Sequence, residues 1–195
     1  MATLKQGLLF LGVAAFALTA GFLLRSQLIG DTQQTSLSSA ASKQGAEAIL
    51  AANLPDIHGE NQAIAQWQGQ VLVVNFWATW CAPCREEIPE FIEMQEKFHD
   101  QGLLFIGIAI DREEKVVAYS KEFGINYPVL VGGMDAMSLA EAAGNHQSAL
   151  PFTVIINHNG EMMTTYLGRV DQKKLEKTLI PLLQDRSQSR HQTPL

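Results

Sequence analysis

Val71-Leu72-Val73-Val74-Asn75-Phe76-Trp77-Ala78-Thr79-Trp80-Cys81-Ala82-Pro83-Cys84-Arg85-Glu86-Glu87-Ile88-Pro89 is the stretch from which the fold can be read. Val71 to Trp77 is apolar on both faces, as a strand in the middle of a covered sheet must be. Beyond the cysteines, Ile88, Phe91, Ile92, Gln95 and Phe98 follow three- and four-residue steps, so a helix is expected, kinked at Pro89. A strand running through Trp80-Cys81-Ala82-Pro83-Cys84 into a helix places Cys81 at the helix N-terminus. Pro83 suits the first turn, where its missing N–H is not needed.

That position has a chemical consequence. The thiolate is the species that attacks a disulfide, and forming it near neutral pH requires a lowered pKa. Unpaired N–H groups and the dipole at a helix N-terminus stabilise negative charge. Cys81 is therefore expected to be the exposed nucleophile. Cys84, one turn inside, would resolve the mixed disulfide. The chain has only two cysteines. A structural framework would spread more of them along the sequence, and closing so short a loop gains little chain entropy. Zinc would need four ligands. There is no second cysteine pair, and His58, His99, His146 and His158 show no ligand-like spacing.

The remaining elements suggest an α/β architecture. Leu54-Pro55-Asp56-Ile57 reads as an edge segment, since Pro55 bars a central position. Leu103 to Ile110 is a second buried strand, Glu113 to Phe123 an amphipathic helix, Val129 to Val131 a short strand, and Ala136 to Ala142 a helix. Phe152 to Ile156 and Met162 to Leu167 flank Asn157-His158-Asn159-Gly160, a hairpin signal. Asp171 to Leu183 closes the domain as a helix with Asp171 as N-cap. Alternating strands and helices followed by a hairpin imply a central mixed sheet flanked by helices.

The 195 residues suffice for one domain plus extensions, and 47% hydrophobic with 17% charged residues is a globular composition. Net charge is −6, and residues 31–195 carry 12 basic against 20 acidic side chains, without the basic cluster that nucleic acid requires. Gly7 to Leu24 is uncharged and apolar all round, between Lys5 and Arg25. Its eighteen residues would span about 27 Å as a helix, close to a ~30 Å hydrocarbon core. An uncleaved signal-anchor over 1–29 competes with a cleaved signal peptide. The anchor is favoured because Ala15-Phe16-Ala17 lies inside the apolar run. Residues 30–49 read as a flexible tether, 50–185 as the folded domain, and 186–195 as a disordered tail.

Val74 to Pro89 resembles the thioredoxin superfamily and, more narrowly, its TlpA/ResA-like branch of bacterial membrane-tethered thiol–disulfide proteins. The resemblance covers roughly residues 50–185. It implies a thioredoxin-like fold, no cofactor, and a catalytic domain facing the periplasm or cell exterior. It also implies a membrane electron donor of the DsbD or CcdA type, and disulfides of exported proteins, apocytochrome c among them, as substrates. Leu150-Pro151 matches the family's cis-proline, whose loop docks the partner chain; with Trp80, Ala82 and Pro83 it would form the substrate-binding surface. Glu87 matches a glutamate that the branch places near the cysteines, suited to exchanging protons with Cys84. Asn75 stands where thioredoxin has a buried aspartate, which moves proton handling towards Glu87 or water. Trp77 is expected to pack, and Leu150 with Phe152 to offer an apolar partner groove or to serve ordinary packing. Phe152 occupies a position that is usually acidic in the cytochrome-c-maturation branch, and this weakens a dedicated role there.

Disulfide reduction or exchange is thus the leading expectation. A thiol peroxidase of peroxiredoxin type is one alternative, disfavoured by the adjacent C-x-x-C pair. A copper chaperone using Cys81, Cys84 and one histidine is another, disfavoured by the close cysteine spacing.

Overall fold

The computed structural model describes residues 40–191. The candidate anchor Gly7–Leu24 and residues 30–39 of the tether lie outside them, and among the described residues no helix is long and apolar enough to cross a membrane.

Five strands form the central sheet in the order β5-β4-β3-β6-β7. β3 (Val71–Trp77) lies in the middle, parallel to β4 (Leu103–Ala109) and antiparallel to β6 (Phe152–Ile156). β5 (Val129–Val131) extends the parallel half, and β7 (Met162–Leu167) pairs antiparallel with β6. β1 (Asn53–Pro55) and β2 (Asn61–Ala63) make a separate two-stranded hairpin. Asp56 adds one bridge to Leu130, so the segment around Pro55 does sit at an edge.

Every residue of β3 and β4 is buried, because helices cover both faces. On one face Val71, Val73 and Trp77 join α2 (Ala82–Phe98), α3 (Glu113–Phe123) and α5 (Gln172–His191) in one apolar cluster. On the other, Leu72, Val74 and Phe76 meet Ile49 of α1 (residues 40–51) and Ala136 and Ala140 of α4 (Ala136–Ala142). The alternation of β3 side chains between these clusters is the period of two of a strand. The β3–α2–β4 and β4–α3–β5 crossovers step the same way along the sheet, so both helices fall on one face.

Two boundaries differ from expectation. The tether, expected through residue 49, is helical from residue 40 because Ala46 and Ile49 bury against the sheet. Gly45 permits the close approach: a Cβ there would meet Met162 Cε at 2.9 Å and Ala142 O at 3.0 Å. The closing helix runs on to His191, beyond the expected start of the tail at 186. Arg186 helps to hold it, donating from Nε to Gly69 O at 2.6 Å and from Nη1 to Gln101 O at 3.2 Å.

Local signals were obeyed elsewhere. Asp171 Oδ1 accepts from Lys174 N at 2.8 Å, as an N-cap should. α2 continues past Pro89, which is exposed. In the β6–β7 turn, Asn157 Oδ1 accepts from the N–H groups of Asn159 and Glu161, and Gly160 takes φ +84°.

Candidate active site

Cys81 and Cys84 form a disulfide. Cys81 is the N-cap of α2, in extended backbone, and its Sγ accepts from Cys84 N at 3.3 Å. The helix N-terminus predicted from sequence is therefore in place, with a donor aimed at the Cys81 sulfur. Exposure differs from expectation: Cys81 is only 5% exposed, and Cys84 is fully buried. Both sit within the cluster containing Trp77, Ala78 and Ile88, which covers the bonded pair. The open surface is supplied by the neighbours, with Trp80 64% exposed and Ala82 and Pro83 also exposed.

Glu87 lies one turn after Cys84 on the buried face of α2, the side predicted by its spacing. Its Oε1 accepts from Asn75 Nδ2 at 2.8 Å and its Oε2 from Val170 N at 3.1 Å. Burial raises its pKa to about 7, although Val170 N–H, the Asn75 amide and the Arg169 charge pull the other way. A carboxyl group so placed can hold or release a proton near neutrality. Asn75 Nδ2 also donates to Thr153 Oγ1 at 3.0 Å, across the β3–β6 pairing in which Asn75 faces Thr153.

The Leu150–Pro151 peptide bond is cis, as the resemblance implied. Its loop is clamped by a residue that sequence reasoning missed. Asn145 is buried, donates from Nδ2 to Ala149 O at 2.9 Å, and accepts at Oδ1 from Ala149 N at 3.2 Å. Leu150 is half-buried and packs against both apolar clusters. Phe152 departs from one expectation. It belongs to the core, tilted against Phe76 with ring centroids 6.0 Å apart, and adds nothing to an exposed groove. Its side chain faces the interior because the paired strand β6 is buried along its length.

A second unforeseen support lies before the cysteines. Asp111, just past β4, accepts at Oδ2 from Thr79 N at 3.2 Å and from Thr79 Oγ1. Partial burial favours the protonated form of Asp111, but the hydrogen bonds from Thr79 and Arg112 N outweigh it and hold the pKa below the usual carboxylate value. Neither Asn145 nor Asp111 carries a sequence signal, since each acts on a loop brought near it only by folding. Trp77 packs as expected, 5.3 Å from the Tyr119 ring and over Gly107. Among the described residues no group of three or more His, Cys, Asp or Glu could hold a metal ion.

Comparison with known proteins places this geometry among relatives. The AhpC/TSA family model matches residues 45–166. Thiol-disulfide oxidoreductase ResA of Geobacillus kaustophilus is 27% identical over 127 residues, covering 65% of this chain and 71% of that protein. Thioredoxin-like protein YneN of Bacillus subtilis is 27% identical over 131 residues, covering 65% and 74%. The crystal structure of a thiol:disulfide interchange protein of the thioredoxin family from Chlorobium tepidum superposes with a TM-score of 0.62 at 26% identity, covering 68% of this chain and 92% of that one. The fold is thioredoxin-like, a mixed sheet with flanking helices.

Proposed function

The chain belongs to the AhpC/TSA family, and from that membership we propose that it is a thiol–disulfide oxidoreductase working through Cys81 and Cys84, held by an N-terminal anchor on the outer face of a bacterial cytoplasmic membrane. The observation that carries the reading is the Cys81–Cys84 disulfide at the N-terminus of α2, with Cys84 N–H directed at Cys81 Sγ.

In the reduced protein the Cys81 thiolate attacks a substrate disulfide, forming a mixed disulfide and releasing one substrate sulfur as thiolate. Glu87 takes the proton of the Cys84 thiol. The Cys84 thiolate then attacks Cys81 Sγ, closing the protein disulfide and releasing the second substrate sulfur. One disulfide is consumed and one formed; the Cys84 proton passes through Glu87 to one substrate thiolate, and the other is protonated from water, which took up the Cys81 proton when its thiolate formed. Trp80, Ala82, Pro83 and Leu150 form the surface on which the substrate chain lies, and Pro151, which is buried, shapes it from beneath through its cis peptide bond. Asn145 and Asp111 position its two loops.

The apolar run Gly7–Leu24 and the polar stretch after it support tethering. In an oxidising compartment the dithiol must be restored by a membrane donor of the DsbD or CcdA type. Substrates are disulfides of exported proteins, with apocytochrome c as one member of that class.

Cys84→Ser tests the chemistry. It should trap mixed disulfides through Cys81, while Cys81→Ser traps none and wild type reduces insulin. A Cys84→Ser protein that traps nothing beside an insulin-reducing wild type would overturn the assignment of Cys81 as nucleophile. Hydrogen peroxide consumption faster than insulin reduction would replace the reading with a peroxidase.

A further inference from the structure

Among the described residues Glu87 is held by donors alone, Asn75 Nδ2 on Oε1 and Val170 N–H on Oε2. Asn75 Nδ2 gives its other proton to Thr153 Oγ1, so both amide hydrogens are used. Among the described residues, Asn75 Oδ1 is buried and has no hydrogen-bond partner. This arrangement suits an ionised Glu87. A protonated carboxyl carries a hydrogen that needs an acceptor, and neither present partner offers one.

The Val170 N–H cannot change its role. The Asn75 amide can, because a half-turn exchanges its oxygen and nitrogen in nearly the same space, and its orientation is dictated by the hydrogen-bond network around it. After that turn Oδ1 lies between Glu87 Oε1 and Thr153 Oγ1 and accepts from both. The Thr153 hydroxyl, donor and acceptor alike, reverses with it. In the present orientation the far end of the amide, Oδ1, is unmatched among the described residues, so it is the contacts with Glu87 and Thr153 that hold the amide this way round.

We infer that Asn75 is a positioning residue whose side-chain amide turns over with the charge on Glu87, donating to the carboxylate and accepting from the carboxylic acid, with Thr153 reversing in step. The inference rests on the reading of Glu87 as proton carrier. It adds how Glu87 stays bonded in both states, so that a proton is taken up and released without displacing the carboxyl group. The residue that departs from thioredoxin's aspartate thereby acquires a function: a second acidic group there would face Glu87 with like charge.

The groups acting on Glu87 from each neighbouring element are Glu90 on α2, Arg169 and Val170 N–H before α5, Asn75 on β3, and Tyr127 before β5, with Thr153 on β6 acting only through Asn75. Arg169 is partly exposed and shared with Glu86 and Glu90, so its charge is screened and divided. The disulfide-bonded cysteines do not titrate in the oxidised form.

The test is NMR on the oxidised full-length chain, following the Glu87 carboxyl carbon and the cross-peak between the Asn75 amide hydrogens and the Thr153 methyl from about pH 5.5 to about 8.5, a range centred on the Glu87 pKa of about 7. The cross-peak should be present at the alkaline end and lost at the acid end, with the same midpoint as the carboxyl carbon. In Glu87→Gln, whose amide donates at every pH, it should be absent throughout. A cross-peak that persists while the wild-type carboxyl titrates overturns the amide turnover and leaves Glu87 as proton carrier. A carboxyl that keeps one charge across the range overturns both.

Discussion

Val170 N–H meets Glu87 Oε2 at 3.1 Å, joining the loop that enters α5 to the buried face of the cysteine-bearing helix. The same seam is fastened from Glu90, which accepts from Arg169 and from Gln172 N. The glutamate that could carry a proton is thus also a structural tie, and stability and protonation are linked through it.

Glu87→Gln should reveal that linkage. Burial raises the folded-state pKa to about 7, above the usual carboxylate value. Ionisation therefore opposes folding. The stability associated with the neutral carboxyl is fully present below the ordinary carboxylate range and is lost as pH rises towards 7 and beyond, a change on the order of 3 kcal/mol. Urea unfolding of the oxidised protein at pH 5 and pH 8, compared with Glu87→Gln, measures it. Wild type should lose stability between those values and the variant should not. Parallel behaviour of the two proteins would contradict the raised pKa.

Asn145→Ala should loosen the loop before the cis-proline. The substitution removes two hydrogen bonds from a buried side chain and leaves both peptide groups of Ala149 without that partner. The expected cost is about 1–3 kcal/mol. If the loop docks substrate, KM for a protein disulfide should rise while the reduction potential of the Cys81/Cys84 couple stays unchanged. An altered potential with unchanged KM would place Asn145 in the electronic tuning of the pair instead.

Those contacts also show where sequence reading stops. Val71–Trp77 was legible because a strand covered on both faces has no polar side to mask it, and α2 because its apolar steps start just after a cysteine pair. Glu87 could be placed beside Cys84 from helical spacing. Its bond with Val170 N–H could not, nor could the Thr153 that holds the Asn75 amide, since both residues lie on elements distant in sequence and reach the site only through the α5 entry loop and the β3–β6 register. Residues 40–49 were read as tether because only Ala46 and Ile49 there are buried apolar residues, too few to establish a period among Ser, Gln and Ala. The covered state of Cys81 depends on tertiary packing around Trp77 and Ala78, which a motif does not encode.

Asp111→Ala should free the segment leading into Cys81. Asp111 Oδ2 takes both donors of Thr79, and its lowered pKa means the ionised form is favoured in the folded protein. Its contribution is present above the usual carboxylate range and disappears as pH falls through the lowered value. The variant should be less stable than wild type at neutral pH by about 1–3 kcal/mol, with the gap closing under acid conditions. Urea midpoints at neutral and acid pH, read beside the alkylation rate of reduced Cys81, provide the comparison. A gap that stays constant with pH would deny the carboxylate its role.

Gly102→Ala should destabilise the domain far from the cysteines. Gly102 holds φ +92° at the entrance to β4, a left-handed conformation that side-chain-bearing residues rarely adopt. A Cβ there would also fall 1.9 Å from Arg186 Nη1, and must displace the guanidinium that binds Gly69 O and Gln101 O. Backbone strain of about 1–3 kcal/mol is expected, with the lost Arg186 contacts in addition. Arg186→Ala alone removes those contacts without the strain and should cost less. In the double variant the losses should fall short of additive, because the displaced contacts are counted once. Urea midpoints of the four proteins close the cycle, with insulin reduction unchanged in each. Strict additivity would mean that the alanine methyl and the Arg186 guanidinium do not compete for the same space.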